Sequence, residues 1–172
     1  MLLNLLNKSY ANTITLLNII FGSLSLIYTL HGDYTSAAVF ILLAVVMDGL
    51  DGKVARKLDI MSQLGKELDS LCDLVSFGVA PALLIYAQVL DPYIYSLGTF
   101  AAVFFIVCGA FRLARFNVLN ISDYFVGIPI TLAGFLAAVL SLLAAWLPGN
   151  LILVLMLLLA ILMVSNFKVR KF

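Results

Sequence analysis

The chain has 172 residues, of which 64% are hydrophobic and 11% are charged, and its formal net charge is +1 at pH 7. A soluble globular domain carries about 25% charged residues, so this composition excludes an ordinary water-soluble domain. The small net charge provides no electrostatic attraction to nucleic acid. The length is typical of one domain, and we expect a single membrane domain over residues 1–172.

The N-terminal segment, residues 1–12, alternates leucines with polar residues. This pattern predicts a short helix that lies along the membrane surface. No basic residue precedes the leucines, which predicts a retained segment and not a cleaved signal peptide.

Six apolar segments follow, each close to the roughly 20 residues that a helix needs to cross the hydrocarbon core. They are Thr13–Leu30, Tyr34–Ala55, Lys66–Leu90, Tyr93–Phe116, Tyr124–Leu147 and Leu151–Phe167. Short turn-like links such as "HGD", "DP" and "PGN" make neighbouring segments antiparallel. The prediction is an all-α integral membrane protein with a six-helix bundle over residues 13–167 and a basic tail over residues 168–172.

The basic residues predict how this bundle is oriented. All ten Lys and Arg residues fall on one predicted side of the bundle. The positive-inside rule assigns that side, and both termini, to the cytoplasm. We therefore expect a multi-pass protein of the cell membrane.

Four aspartates interrupt the apolar pattern where the second helix ends and the third begins. Asp48 and Asp51 are spaced i, i+3, and Asp69 and Asp73 are spaced i, i+4, so each pair shares one helix face. Both pairs should meet at the cytoplasmic end of the bundle. Carboxylate oxygens suit the hard cations Mg²⁺ and Mn²⁺. Four of these side chains can hold two metals, which stabilise the attacking and leaving oxygens in phosphoryl transfer.

Two other interpretations of the acids remain open. The neighbouring bases Lys53, Arg56 and Lys66 would neutralise the acids in a purely structural, salt-bridged helix end. Intramembrane acids are also typical of an ion site in a cation channel or transporter. A transporter predicts acids near the bilayer midplane, whereas these acids crowd one end of the helices.

Small residues and a base accompany the acids. A helical glycine costs about 1 kcal/mol relative to alanine. Gly52 and Gly65, with Ala55, therefore indicate either the close approach of a ligand or tight helix packing. Arg56 is suited to bind a phosphate, and its alternative is a surface base.

The stretch reads Asp48-x₂-Asp51-Gly52-x₂-Ala55-Arg56-x₈-Gly65-x₃-Asp69-x₃-Asp73. This pattern resembles the full motif of the CDP-alcohol phosphotransferase family. The resemblance implies a membrane enzyme, usually a homodimer, that transfers a phosphatidyl-type group from a CDP-linked lipid to an alcohol and releases CMP. It also implies that the four aspartates hold two divalent cations and that Asp73 is the general base. The implied nucleotide-binding residues are Asp51, Gly52, Ala55, Arg56 and Gly65.

Two further stretches, "FRLARFNV" at residues 111–118 and "YFVGIPITLAG" at residues 124–134, resemble the phosphatidylserine synthase branch of that family. "ANTITLLNIIFG" resembles the N-terminal segment of the same branch, with Ala11 where proline is common. This resemblance implies L-serine as the acceptor. Glycerol phosphate or inositol phosphate as the acceptor, and an archaeal ether lipid as the donor, stay open.

The predicted acceptor site lies near the cytoplasmic end of the fourth helix. Arg112 and Arg115 are spaced i, i+3 and are followed by Asn117. A guanidinium there would bind a serine carboxylate or a lipid phosphate. The alternative is that these bases only set the topology.

Overall fold

The computed structural model describes the backbone of residues 2–58, 63–91, 95–119, 124–165 and 168–170, and the side chains of residues 15–50, 63–91, 96–118 and 127–165. This part of the chain contains six long helices, a 3₁₀ turn at Ala144–Trp146 and two short strands. The helices are α1 (Leu2–Leu30), α2 (Tyr34–Leu58), α3 (Gln63–Leu90), α4 (Tyr95–Leu119), α5 (Ile130–Leu142) and α6 (Gly149–Val164). The strands are β1 (Tyr124–Val126) and β2 (Lys168–Arg170). The predicted number and order of helices are confirmed, and the strands are an addition that the sequence did not indicate.

Helix α3 is the central helix of the bundle. It packs against each of the other five helices. Its side chains Phe77, Leu84 and Ile85 are fully buried. The core therefore forms around α3, and residues at the start of this helix lie where several helices meet.

Helix α3 changes its winding twice along its length. It is π-helical over Leu74–Val79 and over Tyr86–Leu90 and α-helical elsewhere. Pro81 has no N–H and cannot donate to the carbonyl four residues earlier. The regular series of α-helical hydrogen bonds is therefore interrupted at this residue. Single π-helical turns inside α-helices are frequent at functional sites. The first of these segments begins directly after Asp73.

The predicted separate interfacial helix over residues 1–12 is wrong, because α1 is continuous from Leu2 to Leu30. No glycine or proline precedes Gly22, so nothing breaks the helix between its polar start and its apolar continuation. A helix of 29 residues is about 43 Å long at 1.5 Å per residue.

The predicted span Tyr124–Leu147 is shorter in the structure, where α5 covers Ile130–Leu142. The preceding residues run along the end of α6: β1 pairs with β2, and the Ile128 N–H donates to the Leu162 carbonyl at 3.2 Å. Gly127 has a φ of 73°, and a Cβ there would lie 2.6 Å from the Met163 carbonyl oxygen. Pro129 then forms the N-cap of α5. The turn at Gly127 and Pro129 therefore makes α5 begin at Ile130 and not at Tyr124.

Within the described residues, two helical stretches, Gln63–Leu90 and Ser96–Val118, are long and apolar enough to cross a membrane. Four shorter apolar stretches accompany them, at Thr15–Leu30, Tyr34–Leu50, Ile130–Leu142 and Gly149–Val164.

The turn between α1 and α2 lies at the end of the bundle opposite β1 and β2. Asp33 caps α2, because its Oδ1 accepts a hydrogen bond of 3.1 Å from the Ser36 N–H. Hydrogen bonds from the Ser36 side chain and backbone hold the pKa of the Asp33 carboxyl below its usual value.

Candidate active site

Three of the four predicted aspartates converge in the described structure. One carboxylate oxygen from each of Asp48, Asp69 and Asp73 lies within 4.8 Å of the other two. Asp48 lies near the end of α2, and the other two share one face at the start of α3. Only residues 59–62 separate the two helices along the chain, so the two acidic segments are near each other in sequence as well as in space.

The remaining motif residues of α2 are only partly described. Asp51, Gly52, Ala55 and Arg56 belong to the final turns of this helix, but their side chains lie outside the described residues. Gly65 is described, one turn before Asp69 in α3 and partly buried.

The acid cluster is electrostatically costly in the absence of cations. Two unit charges at this separation repel by about 3 to 4 kcal/mol at an effective dielectric constant of about 20. Asp73 is also nearly enclosed, with 7% of its surface exposed. The donor set consists of oxygen alone, without histidine or cysteine, which fits Mg²⁺ or Mn²⁺ and does not fit a typical zinc site. These three carboxylates could together hold a metal ion.

Asp73 is held from a second helix. The Asn18 side chain of α1 donates from Nδ2 to Asp73 Oδ1 at 3.1 Å, and Asn18 is fully buried. Ser76, one turn further along α3, donates from Oγ to the Asn18 backbone carbonyl at 3.1 Å. Asn18 is not among the site residues that the sequence predicts. The available signal was a single amide inside the apolar run "TLLNIIFG", since polar groups at membrane depth tend to be functional.

Arg112 is the buried base of the site. It is 9% exposed, it is attracted electrostatically by Asp73 and Asp48, and its guanidinium carbon lies 5.7 Å from the centre of the Phe116 ring. Its Nε atom is buried and makes no hydrogen bond to a described residue. The guanidinium thus has donor capacity available beside the acids.

Arg115 and Asn117 connect α4 to its neighbours. Arg115 donates to the carbonyls of Val164 at 3.1 Å and Ser165 at 3.3 Å, and so binds the end of α6. The Asn117 side chain donates to Ser70 Oγ at 3.0 Å in α3. These contacts are structural, and binding of the acceptor by either residue stays a prediction.

Comparison with known proteins agrees with this chemistry. Residues 8–165 match the CDP-alcohol phosphatidyltransferase family. A CDP-diacylglycerol–serine O-phosphatidyltransferase of Methanocaldococcus jannaschii is 40% identical over 92% of this chain and 72% of its own. One of Helicobacter pylori is 38% identical over 95% of this chain and 72% of its own.

An archaetidylserine synthase of Methanothermobacter thermautotrophicus is 44% identical over 70% of this chain and 52% of its own. Both the resemblance in the aspartate motif and its extension toward the serine-using branch are therefore confirmed. The chain belongs to the CDP-alcohol phosphatidyltransferase family.

Proposed function

We propose that this protein is a phospholipid-synthesising transferase that moves the phosphatidyl group of a CDP-linked lipid to the hydroxyl of L-serine and releases CMP. The observation that supports this proposal most directly is the convergence of Asp48, Asp69 and Asp73 beside the buried guanidinium of Arg112. The names of the relatives support serine as the acceptor. The donor is CDP-diacylglycerol or its archaeal ether-linked counterpart.

The four aspartates, including Asp51, are proposed to hold two divalent cations, Mg²⁺ or Mn²⁺. When bound, such cations neutralise a diphosphate and stabilise the leaving oxygen. The all-oxygen donor set and the proximity of three of the carboxylates support this assignment. Gly52, Ala55, Arg56 and Gly65 are proposed to border the nucleotide.

In the proposed reaction, the serine hydroxyl oxygen attacks the phosphorus atom next to the lipid. A new phosphorus–oxygen ester bond forms, the phosphoanhydride bond breaks, and CMP leaves with the bonding electron pair. Asp73 accepts the hydroxyl proton as the general base. Its enclosure at the meeting point of α1, α3 and α4 keeps the carboxylate oriented and limits access of water, which would otherwise compete with serine.

Arg112 is proposed to bind the serine carboxylate. A guanidinium presents two parallel N–H groups that match a carboxylate in geometry and charge. The buried Nε of Arg112, which makes no hydrogen bond to a described residue, supports this assignment, because a buried donor without a partner costs free energy. An anionic substrate group would satisfy that donor.

We further propose that the bundle crosses the cell membrane with the acid cluster at the cytoplasmic side, where serine and CMP are exchanged. The basic residues on that side support the orientation. The lipid-facing surface supports insertion, since large apolar side chains such as Phe100, Val107 and Ile161 are exposed. The protein is proposed to act as a homodimer.

The direct test is CMP release by the purified protein in detergent. CDP-diacylglycerol is supplied alone, with serine, with glycerol phosphate or with inositol phosphate, and the series is repeated with the ether-linked donor. We expect CMP release that depends on serine. Release that depends equally on another acceptor would contradict the assignment to serine, and release without any acceptor would indicate hydrolysis.

A further inference from the structure

We propose that Asn18 is a positioning residue for Asp73. Its side-chain N–H on α1 holds the carboxylate on α3 in one orientation within the acid cluster, through the 3.1 Å bond from Nδ2 to Oδ1. The inference rests on the proposed function for the part that Asp73 plays. Asn18 and Asp73 are 55 positions apart, so the bond joins two helices and does not follow from local helix geometry.

The chemistry of the pair fixes which end of the amide faces Asp73. An ionised carboxylate only accepts hydrogen bonds, whereas the amide has both a donor end and an acceptor end. A reversed amide would bring its oxygen against the carboxylate oxygen, which is strongly unfavourable in a medium of low dielectric constant. Asn18 is therefore the donor, and the bond is charge-assisted, which makes it about twice as strong as a neutral one.

The rest of the Asn18 side chain shows that this bond carries a cost. Its Oδ1 atom is buried and accepts no hydrogen bond from a described residue. A buried acceptor without a partner is destabilising, and leucine, which has the same branched arrangement of four side-chain heavy atoms, would avoid the penalty. Asn18 is thus explained by what its donor end does for Asp73 and not by packing.

Helix packing fixes the position of Asn18 itself. Ser76 Oγ donates to the Asn18 backbone carbonyl at 3.1 Å. Gly22 lies against Ser76 so closely that a Cβ at residue 22 would be 2.8 Å from the Ser76 Cα. Gly22 and Ser76 are each about one turn beyond the bonded pair, so α1 and α3 are locked together immediately beside the Asn18–Asp73 bond.

The bond leaves Asp73 able to act. A carboxylate has about four lone-pair positions, and Asn18 uses one of them. Groups that orient a metal-binding or reacting side chain in this way typically contribute about 10- to 100-fold in metal affinity or activity. Asn18 acts through Asp73 and needs no contact with the reacting atoms.

The test compares Asn18→Leu, which removes the donor and keeps the branched arrangement of the side-chain heavy atoms, with Ser25→Ala. Ser25 is a matched control, because it is fully buried two turns along the same helix and its Oγ makes no hydrogen bond to a described residue. Binding of Mn²⁺ to the substrate-free protein is measured by electron paramagnetic resonance, together with kcat, KM and thermal stability.

For Asn18→Leu we expect the Kd for Mn²⁺ to rise about 10- to 100-fold and kcat to fall by a similar factor, while the KM for serine stays unchanged. Ser25→Ala should retain wild-type values for each quantity. A purely structural function of Asn18 would instead alter thermal stability and both KM values, and would leave the affinity for Mn²⁺ unchanged.

A second variant, Asn18→Ala, also removes the donor and adds neither a charge nor a group that could bind a cation. This variant tests the proposal if Asn18→Leu does not fold. We expect it to bind Mn²⁺ more weakly than the wild type. Unchanged or tighter binding, equal weakening by Ser25→Ala, or no Mn²⁺ binding by the wild type would overturn the proposal. The Mn²⁺ measurement uses no serine and no CDP-lipid, so failure of the serine reaction in the wild type is recognised separately.

Discussion

Asp48, Asp69 and Asp73 are chemically identical side chains in different surroundings. Asp48 and Asp69 are partly open, whereas Asp73 is 7% exposed and receives a hydrogen bond from Asn18. A partly open carboxylate is suited to bind a cation or a nucleotide that arrives from solution. An enclosed and oriented carboxylate is better suited to accept a proton at one defined position.

The first prediction concerns Asp73→Asn. The amide has almost the same shape but cannot accept a proton, so CMP release should fall by about 10²- to 10⁴-fold, with normal folding by size-exclusion chromatography. Asp91→Asn, just beyond the far end of α3 where the side chain is exposed, is the matched control and should keep activity. Vigorous turnover by Asp73→Asn would remove Asp73 from the position of general base.

The second prediction concerns Arg112→Leu. Loss of a hydrogen-bonded ion pair with the acceptor carboxylate costs about 1.5 to 3 kcal/mol, so the KM for serine should rise about 10- to 100-fold. Arg112→Lys keeps the charge but loses the paired geometry and should lie in between. Ethanolamine, which is serine without its carboxylate, serves as a second acceptor. It separates loss of carboxylate binding from a general loss of activity. Equal impairment with both acceptors would show that Arg112 does not recognise the carboxylate.

Sequence spacing was sufficient for some of these residues and not for others. The convergence of Asp48, Asp69 and Asp73 was predictable, because i, i+4 spacing on one helix and a short link to the preceding helix leave few other arrangements. Asn18 was not, because a single polar residue has no period and its partner is 55 positions away. The different surroundings of Arg112 and Arg115 also required the structure, since both occupy the same turn of α4 and differ only in which helix they face.

At the scale of elements, close approach between helices positions the site. Gly22 on α1 meets Ser76, Gly134 on α5 meets Phe77, and Gly98 on α4 meets Leu90. All three contacts are made to α3. Small residues permit such approach between membrane helices. The result is a central helix held by α1 and α5 about one turn beyond Asp73 and by α4 at its far end.

The third prediction tests this packing with Gly134→Ala. The added Cβ would lie 2.7 Å from Phe77 Cβ and 2.8 Å from its Cα, so α5 must shift away from α3, at a cost of about 1–3 kcal/mol. Thermal unfolding in detergent should show lower stability. Gly49→Ala is the control, because its Cβ meets no described atom within 4 Å, and helix propensity favours it by about 1 kcal/mol. Equal stability of the two variants would contradict the packing argument.

The boundaries of helices were predictable where the composition changes sharply. They were not predictable where backbone conformation and backbone hydrogen bonds set the boundary. The ends of α2, α3 and α4 lie within three residues of their predicted positions. The start of α5 was misplaced because hydropathy does not register the positive φ of Gly127 or the pairing of β1 with β2. The π-helical segments of α3 have no period of their own in the sequence, and tertiary packing selects them.

At the scale of the whole molecule, the acid cluster makes activity depend on a bound cation. The fourth prediction is that chelation of divalent cations abolishes CMP release reversibly, with Mg²⁺ or Mn²⁺ restoring it and Ca²⁺ restoring less, because Ca²⁺ is larger and favours more ligands. Circular dichroism should show that the helices persist without metal, since the core around α3 is apolar. Full activity after exhaustive chelation would contradict the two-metal hypothesis.

The orientation of the bundle provides the fifth prediction. Asn150 at the start of α6 and His31 between α1 and α2 are exposed residues at the end of the bundle opposite β1 and β2. Because the basic residues mark the other side as cytoplasmic, the His31→Cys and Asn150→Cys variants should react with a membrane-impermeant maleimide on intact cells. Lys171→Cys should react only after permeabilisation. Cys72 and Cys108 are buried, so the wild-type protein should show little labelling and serves as the background control. The reverse labelling pattern would place the acid cluster on the outer side, away from the cytoplasmic supply of serine, and would contradict the proposed orientation.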